Sequence, residues 1–176
     1  MKFFSVLLFS AFLSSSIAQD QTYAELMHKD RKTLQNGMYT LSGWATTNIT
    51  VGLIGYSLSS GENQRFHEMN MYWNCANLGL AVSSLLRNKK MMKYKPLMGE
   101  EALHYHYNTE KLFLFNTGLD FAYISSGFLL REIGKNHPTR SDIYKGYGTS
   151  VITQGAFLLL FDAYMYHRLR KNVKSK

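Results

Sequence analysis

The 176-residue sequence predicts an all-α protein, an integral membrane four-helix bundle preceded by a cleavable signal sequence. Three observations predict this fold: four long stretches with almost no formal charge, an N-terminal segment laid out like a secretory signal, and Lys/Arg clusters beside the ends of the stretches. Two prolines and 45% hydrophobic residues exclude a disordered or collagen-like chain. The length fits one domain.

The four stretches are residues 39–58, 69–86, 112–130 and 146–166. Together they contain 78 residues but only two of the 32 formal charges, Asp120 and Asp162. At a rise of about 1.5 Å per residue, each helix is long enough to cross the hydrocarbon core of a bilayer. A soluble amphipathic helix of this length carries charge along its outer face. A soluble four-helix bundle with unusually uncharged helices is the less favoured alternative.

Residues 1–18 are predicted to be a signal peptide. Lys2 supplies the positive charge, residues 3–13 form a short apolar core, and Ser16 and Ala18 are the small residues that precede cleavage. The apolar core is short for a membrane span. An uncleaved fifth helix is the alternative.

The rest of the chain is predicted to divide into three parts. Residues 19–36 form a polar N-terminal segment, helical from Thr22, and residues 37–168 form the four-helix transmembrane domain, followed by the basic tail 169–176. The short loop 59–68 makes the first two helices antiparallel neighbours. Residues 100–111 are expected to extend the third helix outward.

The charges give conflicting predictions of membrane orientation. With four spans, one side receives segments 19–38, 87–111 and 167–176 with fourteen Lys/Arg, and the other side receives five. The positive-inside rule places the fourteen-charge side in the cytoplasm. A cleaved signal instead places both termini outside, and its three-part layout is the more specific pattern. The predicted location is therefore the cell inner membrane, multi-pass with external termini, and the conflict stays open.

The net charge of +8 comes from clusters beside the helix ends, where they suit anionic lipid headgroups. The predicted partners are the lipid bilayer and either another membrane protein or a second copy of the chain. Nucleic acid is excluded because no basic face carries residues that read or stack on bases. The single Cys75 excludes an intrachain disulfide and a Cys-based metal site, and no cofactor or metal is predicted.

Polar residues near the middle of the stretches are the candidate site. Asn48, Asn77, Asp120 and Gln154 are each ninth or tenth in their stretch. A polar side chain in hydrocarbon must find a partner or face a cavity, so we expect these residues and Asn116 to converge on one polar layer. The secondary candidates are Asn70, Asn74, Asp162 and His67; Asn70 and Asn74 share a helix face with Asn77 by their spacing.

The expected roles of these residues differ. Interhelical hydrogen bonding is the simplest role for the Asn and Gln side chains. Asp120 is expected to be protonated or to lie in a water-containing cavity, because an unpaired charge at that depth is costly. Asp162 is expected at the same depth as Asn116, so the two could pair. His67 is interpreted as part of a polar helix start, with a metal role not favoured.

Two classes of function fit these patterns best. The first is a non-enzymatic helix bundle or accessory subunit whose polar layer fixes the packing. The alternative is a small proton, ion or solute transporter with Asp120 as the titrating group. An intramembrane enzyme acting on a lipid or quinone lacks a convincing nucleophile or cofactor site, and no phosphate loop, Ser–His–Asp order or Cys motif is present. The chain is therefore predicted not to be an enzyme.

Several short motifs occur together between residues 35 and 166. They are Trp44 with Asn48-Ile49, Gly52 and Gly55; Phe66-His67-Glu68-Met69-Asn70 with Trp73-Asn74 and Asn77; Leu114-Phe115-Asn116 with Gly118-Leu119-Asp120; Arg131-Glu132; Gly146-Tyr147-Gly148; and Gln154-Gly155 with Phe157 to Asp162. Together they resemble a family of small bacterial membrane proteins of unknown function. The resemblance implies a signal sequence and four transmembrane helices, without an activity, substrate or cofactor.

Overall fold

Four long helices account for nearly all of the described chain. The computed structural model describes residues 2–93 and 97–174, with side chains for residues 22–91, 93 and 97–173. The helices are α1 (Lys2–Leu58), α2 (Gly61–Lys93), α3 (Gly99–Lys135) and α4 (Ser141–Lys174), and a 3-10 turn over Pro138–Arg140 precedes α4. The described residues include no strand, so the predicted all-α four-helix fold is confirmed.

Each predicted stretch lies within a single helix, and the helices continue beyond the stretches. α3 begins at Gly99, so the third helix includes residues 100–111 as predicted, and whether this part lies outside a membrane stays a prediction. α1 is continuous through the polar segment 19–36. The side chains of the predicted signal peptide, residues 1–18, lie outside the described set, and its cleavage stays a prediction.

Hydropathy gives no support to the predicted spans. Within the described residues, no helix is at once long enough and apolar enough to cross a bilayer.

The helices pack unevenly around α4. α4 contacts all three other helices and α1 packs along α2, whereas no described Cα atom of α2 lies within 8 Å of a Cα atom of α3. α3 and α4 approach closely at two glycines: a Cβ on Gly127 would lie 2.7 Å from the carbonyl oxygen of Gly148. Such smooth surfaces let helix backbones approach closely. α3 is therefore attached to the bundle chiefly through α4.

Ionic and polar contacts join the helices at the two ends of the bundle. At the loop end (residues 59–68 and 131–145), Arg131 donates to Glu62 at 3.2 Å. At the terminal end (residues 22–38, 87–111 and 167–174), His106 Nδ1 lies 2.7 Å from Asp30 Oδ2, and both side chains are fully buried. Asn172 Nδ2 also donates to Asp30, at 2.9 Å. The segments thus group at the two ends as four antiparallel helices require.

The apolar core occupies the half of the bundle nearer the terminal end. It includes Leu34 and Met38 of α1, Phe113 of α3, and Phe161 and Met165 of α4. The middle of the bundle holds buried polar side chains instead, and these form the candidate site.

Candidate functional site: an amide cluster and a carboxyl-lined cleft

An amide cluster joins α1, α2 and α4. It consists of Trp44, Asn48, Asn70, Asn74 and Gln154. Gln154, which is fully buried, accepts a hydrogen bond from Trp44 Nε1 at 2.9 Å and donates to Asn70 Oδ1. Asn70 Nδ2 in turn donates to Asn48 Oδ1 at 3.1 Å. Each amide therefore supplies the donor or acceptor that the next one needs.

Two further contacts fix the cluster. Asn74 Nδ2 donates to the backbone carbonyl of Asn70 at 2.8 Å. The Trp44 ring stacks on Phe157 of α4, with ring centroids 3.8 Å apart. Asn74 Oδ1 is the cluster's buried oxygen without a partner among the described residues. Because buried amides are costly when unpaired, this network favours one arrangement of the three helices.

A carboxyl pair forms on the other side of α4. Asp120 of α3 and Asp162 of α4 are 2% and 5% exposed, and their side chains lie within hydrogen-bonding reach of each other. Two carboxylates in contact in a poorly hydrated site cannot both be charged, so we expect the pair to share a proton. Asp120 Oδ2 has no hydrogen-bond partner among the described residues.

The carboxyl pair lines a cleft between α2 and α3. Its volume is about 760 Å³, within the usual range for small-molecule sites. Asn77 and Asn116 line the cleft together with the carboxyl pair. The rings of Trp73 and Tyr123, 4.9 Å apart, bridge α2 and α3 at the cleft's loop end. We call this space the α2–α3 cleft.

The structure divides the predicted polar layer into two groups. Asn48 and Gln154 meet in the amide cluster, through the secondary candidates Asn70 and Asn74. Asn77, Asn116 and Asp120 line the α2–α3 cleft instead. The prediction of a single converging layer is therefore corrected: residue depth alone did not determine which helix each side chain faces.

The predicted partner of Asp162 is also corrected. We expected Asn116 at equal depth, but the Asp162 side chain lies against Asp120. Side chains in a helix lean towards its N-terminus. In the antiparallel helices α3 and α4, Asp120 and Asp162 therefore lean towards each other, whereas Asn116 leans away from Asp162.

The His67 ring packs against α1 in the space beside Gly55. A Cβ added to Gly55 would overlap the His67 imidazole, so only glycine leaves room for the ring there. The ring also contacts Phe66 edge-on, with centroids 5.2 Å apart. In the described part of the chain, no group of three or more His, Cys, Asp or Glu is placed to bind a metal ion.

Sequence reasoning missed two features of the polar network. The Trp44 indole points inward and donates to Gln154, 110 residues away in the sequence. A buried indole N–H needs an acceptor, but no spacing in the sequence identified Gln154 as that acceptor. The buried Asp30–His106 contact joins residues 76 positions apart, and no sequence pattern pointed to it.

Residues 40–163 match a family of unknown function, DUF6992. The chain belongs to this family. The matched range contains the amide cluster, the carboxyl pair and most of the residues that line the α2–α3 cleft. The match agrees with the resemblance in giving a family without an assigned function, whereas the membrane location and the motifs stay expectations. Comparison with curated proteins and with solved structures gave no match.

Proposed function

We propose that this protein is a multi-pass membrane protein, a non-enzymatic helix bundle or accessory subunit held together by the amide cluster. One observation carries the proposal: in the middle of the bundle, polar side chains are buried and large apolar side chains are exposed. Gln154 is 0% exposed and Asn70 2%, whereas Leu80 is 66% exposed and Leu160 73%. This distribution is the reverse of that in a soluble bundle.

The exposed apolar residues form a charge-free band. Nineteen large hydrophobic residues are exposed in the described part, and all except Tyr107 lie in the four predicted stretches. The two charged residues of those stretches, Asp120 and Asp162, are both buried, so the surface of the band carries no formal charge. Extensive apolar surface marks contact with a membrane or a partner.

Several exposed hydroxyl groups in the band make hydrogen bonds within their own helix and do not need water as an acceptor. Six Ser/Thr side chains donate to a backbone carbonyl three or four residues earlier in their own helix: Thr40, Thr50, Ser57, Ser83, Ser125 and Thr153. In hydrocarbon every polar group must be satisfied within the protein. These bonds support placement of the band in a bilayer.

The distribution of polarity also accounts for the low hydropathy of the helices. A hydropathy average mixes the two faces of a helix, and here the inward faces carry amides and glycines. On α2, the buried residues of the stretch 69–86 are Asn70, Asn74, Asn77 and Ala81. Only the outward face meets lipid in the proposed arrangement.

The native cysteine gives a direct test. Cys75 is exposed on α2 within the charge-free band. In sealed native membranes, a membrane-impermeant maleimide should fail to label Cys75, because the reagent needs water and a thiolate. Labelling should appear after denaturation in SDS. Fast labelling of Cys75 in native membranes, or release of the protein by alkaline carbonate, would contradict the proposal.

A matched control places the cysteine outside the band. In the double variant Cys75→Ser/Ser60→Cys, the thiol lies in the exposed turn between α1 and α2, and the same maleimide should label it once the reagent can reach both faces of the membrane. The control also reports orientation. If both termini are external, Ser60→Cys should be labelled only after cell lysis; labelling in intact cells would support the positive-inside orientation.

The carboxyl pair favours a second candidate, a proton or solute transporter that uses Asp120. Asp120 and Asp162 line a cleft. Residues that only hold helices together by hydrogen bonds need no access to a cleft. In proteoliposomes with an imposed pH gradient, this candidate predicts flux in the native protein and none in folded Asp120→Asn. The non-enzymatic proposal predicts no flux above empty liposomes for either protein.

A further inference from the structure

The α2–α3 cleft is shaped for a long apolar molecule. On α2 its lining runs from Met69 to Met91, which is about 33 Å at 1.5 Å per residue. Most of the wall is apolar, including Met38, Leu80 and Phe113. The cleft reaches the charge-free band, because its lining residues Tyr72, Leu80 and Leu112 are also exposed on the surface. In the proposed membrane setting, its ligand would enter from the bilayer.

Two residues in this apolar wall each have a buried polar atom without a hydrogen-bond partner among the described residues. The atoms are Asn77 Nδ2 and Asp120 Oδ2, and both residues line the cleft. Asn77 is 6% exposed and Asp120 2%. An unmet buried polar atom costs about 1–3 kcal/mol, so these positions indicate a ligand that supplies the missing bonds.

The positions of these groups restrict the chemistry of the ligand head. Asn77 and Asp120 lie in the middle of their stretches, where a charged head is strongly disfavoured. The Asn77 amide donates, so the head must accept hydrogen bonds. Asp120 can donate a second hydrogen bond to the head when it carries the proton of the carboxyl pair. The nearby rings of Trp73 and Tyr123 favour a planar head.

We propose that the α2–α3 cleft binds a lipid-soluble quinone, with its carbonyl head beside Asn77 and Asp120 and its apolar tail along the cleft. The proposal rests on the membrane location proposed above. The alternative ligand is an anionic lipid with its phosphate at Arg87, at the terminal end of the cleft. Such a lipid would leave Asn77 and Asp120 without a hydrogen-bond partner. The quinone is bound as a ligand, and no reaction step is assigned to the chain.

Tryptophan fluorescence can measure this binding. Trp73 lines the cleft, whereas Trp44 stacks on Phe157 in the amide cluster. Decylubiquinone added to the native protein in phospholipid nanodiscs should quench emission saturably, at one molecule per chain. The saturable component should be lost in Trp73→Phe. Quenching that only rises linearly with quinone, as for partition into lipid, would overturn the proposal.

Variants on α2 test the assignment of the head group. Asn77→Leu should weaken quinone affinity by roughly tenfold, the loss expected when a buried hydrogen bond of about 1.4 kcal/mol is removed. Cys75→Leu, which adds an apolar side chain on the outer face of the same helix, should leave the affinity unchanged. If Asn77→Leu does not fold, Ala76→Phe tests the same site, because its ring would fill the cleft without removing a hydrogen bond. Unchanged affinity in the folded variants would overturn the proposal.

Two further outcomes identify other ligands. A tenfold loss with Arg87→Gln but none with Asn77→Leu would assign the cleft to an anionic headgroup and overturn the quinone proposal. Saturable binding of dodecanol with the same affinity, measured by its competition with decylubiquinone, would show that any amphiphile enters the cleft. This result would also overturn the quinone proposal. Cys75 labelling is independent of these titrations, so failure of the membrane proposal is distinguishable from failure of the quinone proposal.

Discussion

The amide cluster and the α2–α3 cleft use the same residue type in opposite ways. Asn70 and Asn77 are both buried and lie seven residues apart on the same face of α2. Asn70 hydrogen bonds to Asn48, Asn74 and Gln154, whereas Asn77 Nδ2 has no partner among the described residues. The difference is the distance to the facing helix: α4 is close to α2 and α3 is not. The hydrogen bonds of Asn70 stabilise the fold, whereas the Asn77 amide is available to a ligand in the cleft.

The largest effect is expected from breaking the amide cluster. Asn70→Leu should lower the free energy of unfolding by about 2–3 kcal/mol, because Gln154 and Asn48 each lose a hydrogen-bond partner and Asn74 loses the longer of its two bonds to Asn70. Reversible unfolding in mixed micelles measures the change. Cys75→Leu, on the outer face of α2, is the control and should change it little. A loss below about 0.5 kcal/mol would contradict the structural role of the cluster.

A smaller effect is expected at the crossing that holds α3 to α4. Gly127→Ala should destabilise the protein by about 1–2 kcal/mol, because its Cβ would meet the Gly148 carbonyl oxygen and force the helices apart. Gly118→Ala on the same helix meets nothing within 4 Å and should be neutral or stabilising through its helix propensity. Equal effects of the two variants in the same unfolding assay would argue against close packing at this crossing.

The smallest effect concerns Tyr105, which lines the terminal end of the cleft. Burial raises the pKa of Tyr105 above its ordinary value of 10.0, and the nearby Arg31 acts in the opposite direction. As the pH rises, Tyr105 therefore loses its proton at a lower pH in the unfolded chain than in the folded protein. The stability from keeping this phenol neutral is present below pH ~10 and is lost as the pH rises through the folded pKa.

Tyr105→Phe should remove this part of the alkaline loss of stability. The free energy of unfolding, measured at several alkaline pH values, should fall less steeply in Tyr105→Phe than in the native protein. The exposed Tyr107→Phe is the control and should follow the native curve. Identical slopes in all three proteins would show that Tyr105 titrates as a solvated phenol.

Sequence patterns predicted the helices well because charge and hydropathy are sorted along the chain. The four stretches each fall in one helix, and the segments that group at each end are those that four antiparallel helices require. These features depend on local composition and order, which a sequence states directly.

The division of the polar residues could not be predicted from spacing. Spacing gives the depth and face of Asn70 and Asn77, but not that α4 packs near one and α3 stays away from the other. Depth matched Asp162 to Asn116, yet the lean of side chains towards each helix N-terminus favours Asp120. The Asp30–His106 contact depends on the association of α1 with α3, which no local pattern encodes.

The most direct test of the two roles is the unfolding of Asn77→Leu beside Asn70→Leu in the same micelles. Both variants replace a buried asparagine on one face of α2 by leucine. We predict that Asn70→Leu is clearly destabilised. Asn77→Leu should be as stable as the native protein or more so, because it removes from an apolar wall an amide that has no hydrogen-bond partner. Equal destabilisation of the two variants would contradict the distinction between the amide cluster and the cleft.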